Sequence, residues 1–589
     1  MNKSKKEKVE KKKAFDFRLL RRIFSYTRPY RSKFYLALFI TLTLSALSIS
    51  RPLMIQYTID KYILNKDAHM LLVMTIILLI TLLTEAVLQF LNTYITSFMG
   101  QNIIQDIRKE VYTHILHFKT KYFDITPIGT LVTRSVSDIE SLADLFSQGF
   151  IVILGDILSL VVFIVAMLIY NWQLALIVLT TVPLLLVATN MFKNGVKSSF
   201  NEVRNAVAAL NTFVQEHIQG MKIVQVFNSE EAEYKKFEKI NEQHKKANIR
   251  SIWYYSVFFP VVEILSALAI GMLIWYSGVN MSNINISPGE IAFFLMLTNM
   301  LFRPIRMMAD RLNTLQMGMV SAERVFKVLD TEETINEKGT LQPSQIIGKV
   351  NFKNVSFAYN HEDYVLKNIS FNVNAGETIA LVGATGAGKS SVVNLISRFY
   401  EFNSGEISID NINIRDYNLH FLRTQIAVVL QDVFLFSDTI YNNITLHNPS
   451  IAREDVIEAA KSVGAHDFIM SLPGNYDYNV RERGAILSVG QRQLISFIRA
   501  YVYKPSILVL DEATSSIDTV SEQLIQQATE KITKNRTSIV IAHRLATIQK
   551  ASKIIVLDKG EIIEQGTLNE LLQQNGQFKR LYELQFVSS

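Results

Sequence analysis

Residues Gly383, Ala384, Thr385, Gly386, Ala387, Gly388, Lys389 and Ser390 satisfy GxxxxGK[ST], and Ser391 follows them. The apolar run TIALVG leads into this segment and a helical stretch leaves it, which is the strand, loop and helix context that a phosphate loop needs. Glycines let backbone amides close around a phosphate, and a helix N-terminus adds positive potential. Lys389 would neutralise β- and γ-phosphate oxygens, and Ser390 could ligate magnesium. About 120 residues later the strand-like run 507–510 ends in Asp511 and Glu512. A carboxylate there can hold the magnesium shell and a second can accept a proton from water, so Asp511 is the metal-side candidate and Glu512 the general base. Two adjacent acids are ordinarily a solvated turn; the phosphate loop upstream changes that reading. His543 closes the strand SIVIAH and could reach the attacking water. In LSVGQRQ, Ser488 is placed to cap a helix starting near Gly490, whose exposed amides could grip an anion, a weak signal taken alone.

These residues need a sheet to hold them. From about residue 348 onward, the runs TIALVG, IAVVLQ, SILVLDE, SIVIAH and KIIVLD alternate with helical segments, the pattern of a mostly parallel sheet with helices packed on it. Ahead of it, the polar stretch 330–347 reads as a linker.

The preceding half has a different character. The chain is 589 residues long and 49% hydrophobic, too long for one domain and apolar enough to suggest a membrane. Residues 34–50 carry no charge and extend through Pro52 to Ile55 as a first span. Residues 68–84 begin a second, which continues without a helix breaker almost to Asp106 and so should project into water. Residues 157–192 hold no charge at all and fit two spans hinged at Asn171 and Trp172. A fifth runs over about 252–277, and a sixth begins near Ile291 but meets Arg303 and Arg306. Lysine and arginine fill the N-terminal tail, residues 101–145 and residues 193–250, while residues 279–289 have none, which places both termini in the cytoplasm. This topology accounts for much of the +7 net charge and leaves no call for nucleic acid. The basic N-terminus leads into an amphipathic stretch with no apolar core or cleavage site, so no cleaved signal peptide is expected. With no cysteine, disulfides, thiolate zinc sites and cysteine nucleophiles are excluded. Glu85, Asp156 and Glu263 fall at or near membrane depth, where they either meet a cationic substrate or pair with Arg51 or Arg303.

Taken in order and spacing, GATGAGKSS, LSVGQ, ILVLDE with SSID after it, and VIAHR resemble the ATP-binding cassette (ABC) transporters. Six spans before a single cassette resemble the multidrug and lipid exporter half-transporters, and the likeness covers nearly the whole chain. It implies a membrane all-α six-helix domain with long cytoplasmic helical extensions, plus an α/β P-loop ATPase domain of the ABC type. The expected organisation is a cytoplasmic tail and amphipathic elbow helix over 1–33, the transmembrane domain over 34–329, the linker over 330–347 and the nucleotide-binding domain over 348–589. By the same resemblance Tyr359 stacks on adenine, Gln431 lines the magnesium site together with Ser390 and Asp511, and Asp518 lies at a cassette interface. Two cassettes would face head to tail, so that Ser488, Val489, Gly490 and Gln491 of one chain cover ATP held by residues 383–391 of the other. The turns at 123–129 and 228–237 match the coupling helices of such exporters; from sequence alone a solvated loop is the equal alternative.

The implied activity is ATP- and Mg2+-dependent efflux of a hydrophobic or amphipathic drug or lipid by alternating access, from a bacterial inner (plasma) membrane. An ATP-gated channel would use the same parts but needs a regulatory segment, and none is visible; a non-transporting cassette ATPase would not carry six apolar spans. The chain departs from LSGGQ at one position, Val489. A β-branched side chain there could restrain the backbone or crowd a γ-phosphate, which favours a heterodimer over a homodimer, with a different half-transporter supplying a standard signature.

Overall fold

The computed structural model describes residues 17–280, 286–333, 339–360, 363–511, 519–542 and 544–583. The chain separates into two compact units, residues 1–116 with 127–332, and His117–Thr126 with residues 333–589.

The first unit is entirely helical among the described residues. Its elements are α1 (Phe17–Ser25), α2 (Arg31–Leu47), α3 (Ser50–Thr58) and α4 (Ala68–Leu116). In chain order they are followed, after α5 (Thr120–Ile125) of the second unit, by α6 (Ile128–Ser135), α7 (Ser137–Asp144), α8 (Ile151–Tyr170) and α9 (Trp172–Leu179). The unit closes with α10 (Thr181–Gln219), α11 (Met221–Val226), α12 (Glu230–Asn280) and α13 (Pro288–Leu329). Five stretches, Arg28–Ile63, Ala68–Leu116, Ile151–Tyr170, Trp172–Gln219 and Glu230–Asn280, are long and apolar enough to cross a membrane. The sixth run is one continuous helix, α13, with Arg303 and Arg306 inside it. The 49 residues of α4 run unbroken, about 70 Å at 1.5 Å per residue, so the second span does extend well beyond a bilayer. None of its most apolar window is buried within the protein, and Leu72, Leu79, Ile80, Leu83 and Phe90 are exposed. Such a face is stable only against hydrocarbon.

The expected hinge between spans three and four lies at Asn171. Its backbone is extended (φ −154°, ψ 103°), and its side-chain carbonyl accepts from the amides of Gln173 (3.1 Å) and Leu174 (3.2 Å), capping α9. Phe163 and Met167 of α8, Leu174 and Val178 of α9, Leu273 of α12 and Phe293, Phe294 and Leu297 of α13 form one core. A second core joins Phe192 and Phe258, stacked at 4.0 Å, with Val262 and Phe302. At the far end of α3, Asp60 ties the start of α13: its carboxylate accepts from the Gly289 amide at 2.8 Å and the Ser287 hydroxyl at 2.6 Å. Glycine is required at 289 because a Cβ there would meet the Gln56 carbonyl at 2.5 Å.

Among the described residues no ion pair joins the membrane-depth acids to Arg51 or Arg303, one of the two alternatives read from the sequence. Asp156 bonds Arg311 across α8 and α13, and Glu263 lies 3.8 Å from Arg306 across α12 and α13. One oxygen of Glu85 is buried without a hydrogen-bond partner. The segment 123–129 contains the end of α5 and the start of α6; the short helix α11 precedes 228–237, which itself is mostly the start of α12.

The second unit carries two sheets. Strands β1 (Val350–Ala358), β2 (Tyr364–Val373), β4 (Ser404–Ile409) and β5 (Ile412–Asn413) form an antiparallel sheet in the order β2-β1-β4-β5. Strands β3 (Thr378–Val382), β6 (Ile426–Val429), β7 (Ile507–Asp511), β8 (Thr537–Ile541), β9 (Lys553–Asp558) and β10 (Glu561–Gly566) form the other in the order β10-β9-β3-β8-β7-β6. In this second sheet β9, β3, β8, β7 and β6 are mutually parallel. Their near-continuous Ile, Val and Leu content reflects burial on both faces: every residue of β8 is buried. The five apolar runs read from the sequence are these five parallel strands.

Candidate functional site

The order of the parallel strands places the chemistry. Ile541 on β8 is in register with Leu381 of β3 on one side and with Asp511 of β7 on the other. Asp511 therefore stands level with the end of β3, two strand spacings or about 10 Å across the sheet, where the phosphate loop begins. On the next strand Val429 pairs with Leu510, so Gln431, exposed just beyond β6, comes out at the same edge.

The loop is shaped by its glycines. Gly388 has φ +107°, a left-handed conformation that turns the chain into α14 (Lys389–Ile396), and a Cβ there would lie 2.7 Å from Leu366. A Cβ on Gly383 would lie 2.2 Å from the Leu557 carbonyl oxygen. Ala384, Thr385 and Gly386 are exposed over the loop, Ala387 is buried, and Ser390 is exposed at the first turn of α14. Lys389 is only 7% exposed, and its ammonium donates to the carbonyls of Gly383 (2.7 Å) and Ala384 (3.0 Å), spanning its own loop. Burial lowers the Lys389 pKa, and the Asp511 charge opposes that shift. Burial likewise raises the Asp511 carboxyl, with Lys389 pulling it down and Asp432 pushing it up. A cation and a carboxylate, each disfavoured by burial and each favoured by the other, thus lie at the sheet edge where the phosphate loop begins. That donor set fits a triphosphate and its divalent cation: Lys389 and the loop amides for phosphate, Ser390, Asp511 and Gln431 for the metal.

Tyr359 lies just beyond β1. Its hydroxyl shares a hydrogen bond with Ser391 Oγ at 3.1 Å and accepts from Asn394 Nδ2 at 3.0 Å, both on α14. Sequence reasoning missed Asn394, as well as Tyr400, whose ring meets that of Tyr359 edge-on at 4.9 Å.

Ser488 caps the helix Val489–Val502: its hydroxyl accepts from the Gln491 amide (3.2 Å), while the Gln491 side chain accepts from the Ser488 amide (3.0 Å). Gly490 is buried, and Val489 is the first helical residue, 38% exposed. Its backbone is not among those with positive φ, so valine imposes no backbone strain here, and only its bulk distinguishes it from glycine. Leu487 and Leu494 belong to a different core from Val392 and Leu395 of α14, and no described hydrogen bond joins the signature to the phosphate loop. Glu512, Asp518 and His543 lie outside the described residues.

Comparison with known proteins agrees with this architecture. Residues 34–305 match the ABC transporter transmembrane region and residues 366–515 match the ABC transporter family. An ABC transporter ATP-binding protein of Bacillus subtilis, YknV, itself uncharacterised, is 36% identical over 98% of this chain and 96% of its own length. The chain belongs to the ABC transporter family. Other relatives of this ABC transporter include an ATP-dependent lipid A-core flippase of Syntrophus aciditrophicus, 34% identical over 96% of this chain and 94% of the relative. A putative multidrug export ATP-binding/permease protein of Bacillus subtilis, YgaD, is 34% identical over 96% and 99%. A bacterial Atm1-family ABC exporter solved with ATP bound shares the fold, with a TM-score of 0.78 and 24% identity over 94% of this chain and 99% of that one. This ABC transporter is thus an integral membrane protein that binds and hydrolyses ATP.

Proposed function

We infer that the chain is one half of a dimeric exporter that moves a hydrophobic or amphipathic lipid or drug outward across a bacterial inner membrane, both termini and the ATPase unit lying in the cytoplasm. The observation that carries this is the pairing, in one chain, of membrane helices with a single phosphate loop and a signature helix that does not engage it. Such a signature serves a second cassette. In this reading residues 383–391 hold the triphosphate, Tyr359 the base, and Ser390, Gln431 and Asp511 the magnesium ion, which when bound offsets charge on the phosphates. Glu512 takes a proton from water, His543 orients that water, and Asp518 meets the opposing cassette. Higher affinity for nucleotide in the closed pair than in the open one is what would couple ATP to alternating access. Reconstitution in liposomes tests the transport reading: stimulation of ATP hydrolysis by particular lipids or cationic drugs is expected, whereas a steady ATP-dependent ion current would replace the exporter with a channel.

The partner is expected to be a different half-transporter. Val489 carries an exposed isopropyl group at the point of the signature helix that would face a partner-held γ-phosphate, and two copies of this chain would place it over both sites. Purified alone, the chain should hydrolyse ATP slowly, and Val489→Gly should raise turnover about threefold or more, on the order of the 1 kcal/mol a small steric conflict costs. A stable homodimer with full activity, unchanged by Val489→Gly, would overturn the heterodimer.

A further inference from the structure

Helices α2 and α4 lie antiparallel and side by side, Tyr30 meeting Asp106, Lys33 meeting Phe98 and Thr41 meeting Asn92. Ala37 and Ile40 of α2 are buried, as are Thr96 and Met99 of α4. Away from these buried positions α4 carries three rings at i, i+4 spacing: Phe90 stacks on Tyr94 at 6.2 Å and 15°, and Tyr94 on Phe98 at 6.2 Å and 30°. Phe90 is 67% exposed and Tyr94 59%, so this strip, about 12 Å long at 1.5 Å per residue, faces away from the protein. On α2, Leu36 and Phe39, about one and two turns beyond Lys33, are exposed too.

The strip ends under a cation. Lys33 is the last charged residue before the uncharged run that begins at Phe34, and its ammonium lies 3.7 Å from the centre of the Phe98 ring. A lysine at a membrane boundary ordinarily extends into headgroup water. Here the ring holds it at the head of an apolar strip. Arg28 and Arg31, close by in sequence, are exposed, and among the described residues no carboxylate forms an ion pair with any of the three. The acids on the adjoining stretch of α4 take hydroxyl donors instead: Asp106 accepts from Tyr30 and Glu110 from Tyr26, each at 2.8 Å.

We propose that an anionic phospholipid of the leaflet that meets the start of α2 binds here, its phosphate on the Lys33 ammonium and an acyl chain along Phe98, Tyr94 and Phe90. The ring covers one side of the ammonium, whose N–H donors still require acceptors, and phosphate oxygens supply them. Net charge selects the headgroup. Three cations without a carboxylate partner attract a negatively charged lipid, whereas the trimethylammonium of a choline headgroup is repelled by them and finds the Phe98 ring already taken. Binding of this kind requires neither ATP nor transport.

Native mass spectrometry of the purified full chain in a non-ionic detergent tests the site, by titration with phosphatidylglycerol and with phosphatidylcholine of the same acyl chains. The dissociation constant for the first phosphatidylglycerol should be about fivefold or more below that for phosphatidylcholine, the factor for about 1 kcal/mol per basic residue at an anionic surface. Lys33→Gln should remove that preference. Phe98→Leu, which keeps every charge, should weaken phosphatidylglycerol about twofold to fivefold by unseating the ammonium. Lys193→Gln removes an equal charge just beyond another uncharged stretch, residues 157–192, and should change nothing. Equal binding of the two lipids, the result expected if a second protein chain covered this face, would overturn the proposal. So would an unchanged constant in Phe98→Leu, or a loss in Lys193→Gln as large as that in Lys33→Gln, which would reduce the effect to diffuse surface charge.

Discussion

Glu512→Gln should bind ATP with near-native affinity and hydrolyse it about 100-fold to 1,000-fold more slowly. An amide cannot accept a proton from the attacking water, whereas a carboxylate can, and positioned general bases contribute about that factor. In free energy the loss is about 3–4 kcal/mol of barrier. The substitution leaves Lys389, the loop amides and Asp511 in place, so binding should survive; the variant should accumulate bound, uncleaved ATP. The measurement is single-turnover cleavage beside equilibrium nucleotide binding. Native turnover would remove Glu512 from the reaction, and loss of binding would make it a structural residue.

Lys389→Ala should do the reverse, raising the ATP dissociation constant about 10-fold to 100-fold, since charge-assisted hydrogen bonds contribute about 1.5–3 kcal/mol. Two effects combine. The ammonium that offsets phosphate charge is gone, and so are its bonds to Gly383 and Ala384, which hold the loop in shape. Because burial disfavours the charged lysine, its removal should not unfold the domain. Calorimetry with nucleotide, beside a thermal melt without it, separates the two: unchanged affinity would contradict the assignment, and a collapsed melt would move Lys389 from binding to stability.

The parts of the site legible in the sequence are those written contiguously. A strand that is buried on both faces must be an unbroken apolar run, so β3, β6, β7, β8 and β9 could be read one by one, and the loop between β3 and α14 declares itself through glycines whose backbone no other residue adopts. Asn171 was legible too, as a polar residue beside the interfacial Trp172 midway along an uncharged stretch long enough for two spans. Relations across the chain were not. Nothing near Tyr400 points to its hydrogen bond to Asp124, 276 residues away, and nothing near Asp156 chooses Arg311 over Arg303, which stand about two helical turns apart on α13. The level alignment of Asp511 with Leu381 depends on strand order, which periodicity does not encode. Val489 was visible as a departure, but its ordinary helical backbone was not, since the glycine it replaces suggested a special conformation that the helix start does not need.

Asp60 has a consequence for motion. Its carboxylate draws two donors from the first turn of α13 while Gly289 lets the backbones of α3 and α13 approach to a distance no side chain would permit. Parting these helices at that end would strand a charge and cost about 3–6 kcal/mol, taking each hydrogen bond to a charged group at about 1.5–3. Within the membrane half they consequently travel as a single strut, and any cleft that forms at that end has to follow a different seam.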